Sequence, residues 1–340
     1  MRVGEFELIR QLAGAQTLRR EEVVLGIGDD AAILNIPDDH ELVVSTDTLN
    51  IGVHFPETTP AESIGYKSLA VSLSDLAAMG AEPLAANLSL SLPESDAAWI
   101  AEFANGFFEL ANRYNVQLIG GDTTRGSLSI SVTIFGQLPK GQAIRRSGAQ
   151  AGDLIYVTGT LGDAGAALLA LQGELKISGP QQKALMQRLD RPEPRVEWGQ
   201  ALRGIASACI DLSDGLAADI GHLVDMSNGN QGDSEQSVCG ASLMVDQLPL
   251  SETLRECFDL AGGWTLPLQA GDDYELCFTV PENRQAELEA LKSRIETPIS
   301  QVGFIEKMTG LHLQMPDGSM ETIAPKGYAH FQAHSYADTE

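Results

Sequence analysis

Six carboxylates are placed where they could do chemistry with phosphate. Asp30 lies in Gly26-Ile27-Gly28-Asp29-Asp30 and Asp47 in Ser45-Thr46-Asp47-Thr48. Asp122 follows Gly120-Gly121 and precedes Thr123-Thr124-Arg125, while Asp211 and Asp214 bracket Leu212-Ser213. Those five read as strand ends or glycine-rich turns; Asp75 is the only charged residue between Ser68 and Met79, in a helical run. Mg²⁺ takes hard oxygen ligands, keeps several waters and usually accepts one or two carboxylates plus substrate phosphates. Several such loops suit a cluster of ions, with the Ser45, Thr46 and Ser213 hydroxyls completing coordination. Phosphoryl transfer asks for positioning and charge neutralisation rather than covalent chemistry, and Arg125 or Arg146 could steady the transferring group. Singly, each feature has a plainer reading: Asp214 or Ser213 as a helix N-cap, Arg146 as a linker charge.

Charge sharpens this picture. Lys and Arg number 22 against 47 Asp and Glu, a formal net charge of −25. That argues against nucleic acid or an anionic membrane surface as partner, and an acidic protein that binds a polyanion needs cations between the two. No Gly-Lys pair occurs, so a P-loop is excluded, and Gly159–Gly165 matches neither the Walker nor the dinucleotide spacing. Cys209, Cys239, Cys257 and Cys277 form no CxxC pair and suit reduced thiols. The six histidines show no zinc pattern. The start, MRVGEFELIRQL, has no signal-peptide core, and the apolar stretch Ser68–Leu92 is broken by Asp75, Glu82 and Pro83. A cytoplasmic protein without a membrane span is expected.

The elements that must position these groups follow an α/β order. Phe6 to Leu12 suggest a short helix, Val23–Leu25 a strand, and Leu42–Val44 a strand ending at Ser45. Thr59-Pro60-Ala61-Glu62 has capping-box spacing for a helix that Gly80 can close. A further helix carries Trp99, Phe103, Phe107, Leu110 and Tyr114. Ser127–Phe135 alternates as a half-buried strand. Residues 1–138 therefore read as an N-terminal α/β domain, 139–152 as a linker, 153–331 as a second α/β domain and 332–340 as a tail. In the second domain Leu154–Val157 and Ala206–Ile210 read as strands, Leu216–Met226 as a helix and Glu275–Val280 as a strand. Asn228–Gly240 reads as a surface loop.

Taken in order, the segments GIGDDAA (26–32), STDT (45–48), SLSDLAAMGAEP (72–83), IGGDTTRG (119–126), DLSDGL (211–216), DDYELCF (272–278) and KGYAHF (326–331) resemble the thiamine-monophosphate kinase family. His54-Phe55 and RRSGAQAGDLIYVTGTLGDA (145–164) extend the resemblance to nearly the whole chain. That family belongs with aminoimidazole-ribonucleotide synthetase and selenophosphate synthetase. The resemblance implies ATP-dependent phosphorylation of thiamine monophosphate to thiamine diphosphate, by direct in-line transfer with several Mg²⁺ ions. It implies metal association for Asp30, Ser45, Thr46, Asp47, Asp75, Asp122, Asp211 and Asp214, with Asp122, Arg146 and Asp214 closest to the transfer. It implies ATP contacts at Tyr114, Gly121, Asp122, Arg146 and Ser213, and substrate contacts at His54, Asp272 and Tyr328. It also implies a homodimer whose N-terminal domains pair into a β-barrel, with a mixed sheet and helices in the C-terminal domain.

Two departures stand out. The family commonly has Gly-Gly-Glu-Asp-Tyr where this chain has Ala270-Gly271-Asp272-Asp273-Tyr274, so Asp272 is one methylene shorter than the usual Glu. The 228–240 segment is longer than the family's usual connection. The competing readings are another enzyme of the same superfamily, or a metal-dependent nucleotide-binding protein without turnover. The chain ends Ala-Asp-Thr-Glu and has no Cys before Cys209, which separates it from the superfamily members that use terminal cysteines.

Overall fold

A computed structural model describes residues 11–12, 14–229 and 239–328. The expected helix around Phe6, the segment 230–238 and the tail from Ala329 lie outside or largely outside the described residues. In chain order the elements are β1 (Val23–Leu25), β2 (Ile33–Leu34), β3 (His40–Asn50), α1 (Ala61–Ala78), β4 (Glu82–Leu92), α2 (Ala97–Arg113), β5 (Gln117–Arg125) and β6 (Ser129–Pro139). After an irregular stretch come β7 (Leu154–Thr158), α3 (Asp163–Leu171), α4 (Gly179–Asp190), α5 (Val196–Ala201), β8 (Ala208–Asp211), α6 (Leu216–Gly229) and β9 (Gly240–Met244). The chain closes with α7 (Glu252–Glu256), α8 (Thr265–Gln269), β10 (Leu276–Val280), α9 (Gln285–Lys292), β11 (Ile299–Glu306), β12 (Leu311–Gln314) and β13 (Met320–Ile323).

Two larger sheets organise the molecule. The first has strand order β3-β6-β4-β5, antiparallel except for the parallel β4–β5 pair. The second has order β13-β12-β9-β11-β7-β10-β8, antiparallel except for β12–β9. Both are mixed sheets with helices, as expected for this α/β chain. In β6, Ile130, Val132 and Ile134 are buried while Ser131 and Thr133 are not, the alternation of a half-buried strand.

Helix α1 is the central element. Nearly every side chain along it is buried, Lys67, Ser68, Ser72 and Ser74 included, so it behaves as a helix covered on all sides rather than an amphipathic one. It packs on α2, the first sheet, α5 and β8. The α1–α2 contact is backbone on backbone: a Cβ at Gly106 would stand 1.8 Å from the Glu62 carbonyl oxygen, and one at Gly65 2.0 Å from that of Phe103. Only glycine permits that approach.

Three local expectations are corrected. The Thr59 capping box does not form; the N-cap is Pro60, without a side-chain hydrogen bond, and Thr59 Oγ1 is buried without a partner. Proline at that position cannot present the hydroxyl the motif needs. Strand β3 does not end at Ser45 but runs on to Asn50, so Ser45–Thr48 is strand interior. Likewise β5 continues through Gly120 and Gly121 to Arg125, its register shifting between Ala86 and Asn87 of β4. At its far end α1 closes as anticipated: Gly80 N–H donates to Ala77 O and Ala81 N–H to Leu76 O. All four cysteines are free and buried. Among the described residues no helix is long and apolar enough to cross a membrane.

Candidate active site

Strand β3 delivers alternate side chains to opposite faces of its sheet. Ser45 and Asp47 face α1, whose polar residues meet them. Ser45 Oγ donates to Asp75 Oδ2, and Ser72 Oγ donates to Asp47 Oδ2 at 2.8 Å. Two residues beyond Ser72, Ser74 Oγ donates to Asp211 Oδ2 at 2.9 Å, tying the end of β8 to the same helix. Asp47, Asp75 and Asp211 thus stand in mutual electrostatic contact.

Burial and neighbouring negative charge leave these carboxyls hard to ionise. Asp47 is pushed up to about 6, by desolvation first and by Asp75's charge second, against the Ser72 hydrogen bond. Asp75 and Asp211 are raised for the same first reason, opposed by their serine partners and by the Arg146 guanidinium. Arg146, Ser45, Asp75 and Cys209 line a cavity of about 260 Å³. Asp219, in the first turn of α6, is pushed up to about 8 by burial and by Asp211 and Asp214. Its Oδ2 accepts the Asp214 and Gly215 N–H groups at 3.1 Å. The N-terminus of α6 is therefore capped from inside the helix.

The other half of the site is joined through main chain. Asp272 N–H donates to Ser213 O (2.9 Å) and Tyr328 N–H to Asp214 O (3.0 Å). Ser213, Asp214, Asp272 and Tyr328 are brought together in this way. Lys67 Nζ donates to Asp272 Oδ2 (3.2 Å) and to His54 O (3.1 Å), adding His54 to the group. Asn50 N–H donates to His54 Nδ1 at 3.0 Å, so the ring proton belongs on Nε2.

The remaining expected residues lie elsewhere in the single chain. Asp30, Gly121 and Asp122 line a separate cleft of about 830 Å³ with Asn87, Ser89 and Thr133. Gly121 has φ +148, and a Cβ there would meet the Leu88 carbonyl oxygen at 1.8 Å. Thr46 faces that side too, 2.9 Å from the Thr133 hydroxyl. Asp47 on β3 and Asp122 on β5 therefore occupy opposite edges of the sheet. Tyr114 follows α2, its hydroxyl donating to Glu193 (3.1 Å) with the Pro194 carbonyl 3.0 Å away. It lines neither cleft. Arg125 ends β5, exposed, at the far edge from Arg146's cluster.

Among the described residues no three His, Cys, Asp or Glu side chains converge closely enough to enclose a metal. The donors that do gather, Ser45, Asp47, Asp75 and Asp211, are all hard oxygens. That set fits Mg²⁺, which completes its shell with water and phosphate rather than with a protein cage.

Several residues at the site carried little sequence signal. Ser72 and Ser74 stand in the 72–83 segment only as hydroxyls inside an apolar helix, and Lys67 is a lone cation in the first half of that helix. Glu193 and Asp219 had no motif to mark them.

The chain is similar to known proteins over nearly its whole length. The model for "AIR synthase related protein, N-terminal domain" matches residues 28–138. The chain is 47% identical to thiamine-monophosphate kinase of Salmonella typhimurium, over 97% of this chain and 99% of that one. It is 33% identical to that of Bacillus subtilis, over 97% and 100%. The crystal structure of thiamine-monophosphate kinase from Stenotrophomonas maltophilia K279a superposes with a TM-score of 0.82 at 47% identity, covering 94% of this chain and 98% of that one. AaThiL complexed with AMPPCP and TMP superposes with a TM-score of 0.75 at 31% identity, covering 97% and 99%.

Proposed function

Because the chain belongs to the thiamine-monophosphate kinase family, we propose that it transfers the γ-phosphoryl group of ATP in line to thiamine monophosphate, giving thiamine diphosphate and ADP. This is the last step of thiamine diphosphate formation. The observation that carries the reading is the serine-lined row Asp47, Asp75 and Asp211 with Arg146 beside it. Buried carboxylates that repel one another are costly unless a cation joins them. Mg²⁺ bound there supplies charge neutralisation for the phosphates of donor and acceptor. The chain's own groups hold and orient. Ser45, Ser72 and Ser74 fix the carboxylates, Arg146 and Ser213 face the ATP phosphates, and His54, Asp272 and Tyr328 hold thiamine monophosphate. The superposition on AaThiL complexed with AMPPCP and TMP supports this pair of ligands.

In this reading the enzyme is a cytoplasmic homodimer. Its parts are an N-terminal domain over 1–138, a linker over 139–152, a C-terminal domain over 153–331 and a tail. The open face of the first sheet carries Leu42 and Val44, each about half exposed, an apolar surface suited to closing against a second copy. The dimer also resolves the divided ligand set. Asp47 and Asp122 are three strands apart, on the order of 14 Å at the usual strand spacing. If two such sheets close edge to edge into a barrel, the β5 edge of one copy meets the β3 edge of the other. Asp30 and Asp122 of one copy then serve the same ions as Thr46, Asp47 and Asp75 of the other, across the interface.

The test is incubation of purified protein with ATP, Mg²⁺ and thiamine monophosphate, with thiamine diphosphate quantified by chromatography. Metal-dependent product from the monophosphate, and none from free thiamine, is expected. ATP binding without thiamine diphosphate would overturn the reading in favour of a different acceptor or a binding protein.

A further inference from the structure

We propose that Lys67 is a positioning residue that fixes two of the three thiamine-monophosphate-binding groups, His54 and Asp272, in register; this rests on the reading above. Lysine is almost never fully buried unless paired, yet the Lys67 side chain is only 2% exposed. It stands on α1, the most enclosed helix in the molecule. Its ammonium bridges segments from opposite halves of the chain: the His54 carbonyl at 3.1 Å and Asp272 Oδ2 at 3.2 Å. A second acidic group, Asp190 at the end of α4, feels the same charge.

Each partner needs that anchor. Asp272 has φ +68 and Tyr274 φ +48, so the loop holds two non-glycine residues in left-handed backbone. Such conformations persist only where surrounding contacts over-determine them. Here the contacts are the Asp272 N–H bond to Ser213 O, the Tyr274 N–H bond to Leu212 O and the Lys67 bridge. Asp272 is also shorter than the family's Glu, with less reach to correct a misplaced carboxylate. On the other side, Asn50 holds the His54 ring and N–H, and Lys67 holds its carbonyl. Loss of the ammonium frees both groups together, while Ser45, Asp47, Asp75 and Arg146 keep their own partners. Lys67 therefore acts on the acceptor side of the site and not on the ATP side.

Steady-state kinetics with each substrate varied in turn test this, using K67M, D272N and the double variant. K67M is expected to raise KM for thiamine monophosphate at least tenfold, with KM for ATP within twofold and kcat lowered less than fivefold. D272N should act on the same constant, and the double variant should be no worse than the worse single, as for two residues acting as one unit. K67L, which also removes the donor, is read in the same way if K67M does not fold. A folded K67M or K67L whose KM for thiamine monophosphate stays within twofold overturns the inference. So does an equal rise in both KM values, which marks a merely structural role. Wild-type protein that makes no thiamine diphosphate instead overturns the functional reading, and this inference with it.

Discussion

Replacing Asp47 with Asn measures what it costs to hold a carboxylate in this cleft without a metal. The Asp47 carboxyl rises from 3.8 to about 6 because it is buried and faces Asp75. At about 1.36 kcal/mol per pH unit this is roughly 3 kcal/mol, which partial exposure and solvent screening reduce to on the order of 1–2 kcal/mol. The folded pKa lies above the unfolded one, so the contribution is fully present below pH ~4 and is lost as pH rises through about 6. Asn does not titrate. In EDTA, the stability of D47N relative to wild type should therefore grow by about 1 kcal/mol between about pH 4.5 and 7.5. In a chain of this size that is a gain of roughly 2 °C in relative melting temperature. Adding Mg²⁺ at the higher pH should reverse the order, since only the wild type offers it the anion. Thermal melts of both proteins, with EDTA and with Mg²⁺, give the answer. A D47N protein that loses ground to wild type as pH rises in EDTA, or an identical Mg²⁺ shift in both, would refute the reasoning.

Other expectations concern the interface, the nucleotide and the helix core. D47A and D122A should each be folded and inactive alone. Mixed after dissociation and reassociation they should recover about a quarter of wild-type turnover, because half of the dimers hold one intact composite site; no recovery would place both groups in a single-chain site. R146A should weaken the ATP dependence, read as a raised KM for ATP with KM for thiamine monophosphate unchanged. G106A sets a methyl against the Glu62 carbonyl and should destabilise by about 3 kcal/mol or more, measured as a lowered melting temperature beside an exposed Gly→Ala control at Gly179.

What the sequence disclosed follows from which physics was local. β6 was legible because one face is buried and the other is not. β3 was cut short because Ser45, Thr46 and Asp47 look like a loop. They remain strand because Ser45 and Asp47 find partners on α1 while Thr46 bonds Thr133 on the neighbouring strand. The Thr59 capping box had the right letters, but Pro60 occupies the N-cap. Asp75 stood out as a charge in an apolar helix. Its serine partner lies 30 residues away, a distance no periodicity reports. Lys67 was harder still, since its meaning depends on a loop more than 200 residues downstream.

The junction between α6 and β9 has a consequence for how this chain tolerates change. The Asn228 side-chain amide reads both backbone groups of Cys239, donating to its oxygen at 3.0 Å and accepting from its nitrogen at 2.8 Å. A side chain thus imitates a neighbouring strand and fastens the two ends of the intervening stretch to each other. Between two fastened ends, each doubling of a flexible insertion's length costs only about 0.6 kcal/mol. This junction can therefore accept inserted sequence, such as an affinity tag or a reporter domain, while the helix and strand on either side stay fastened.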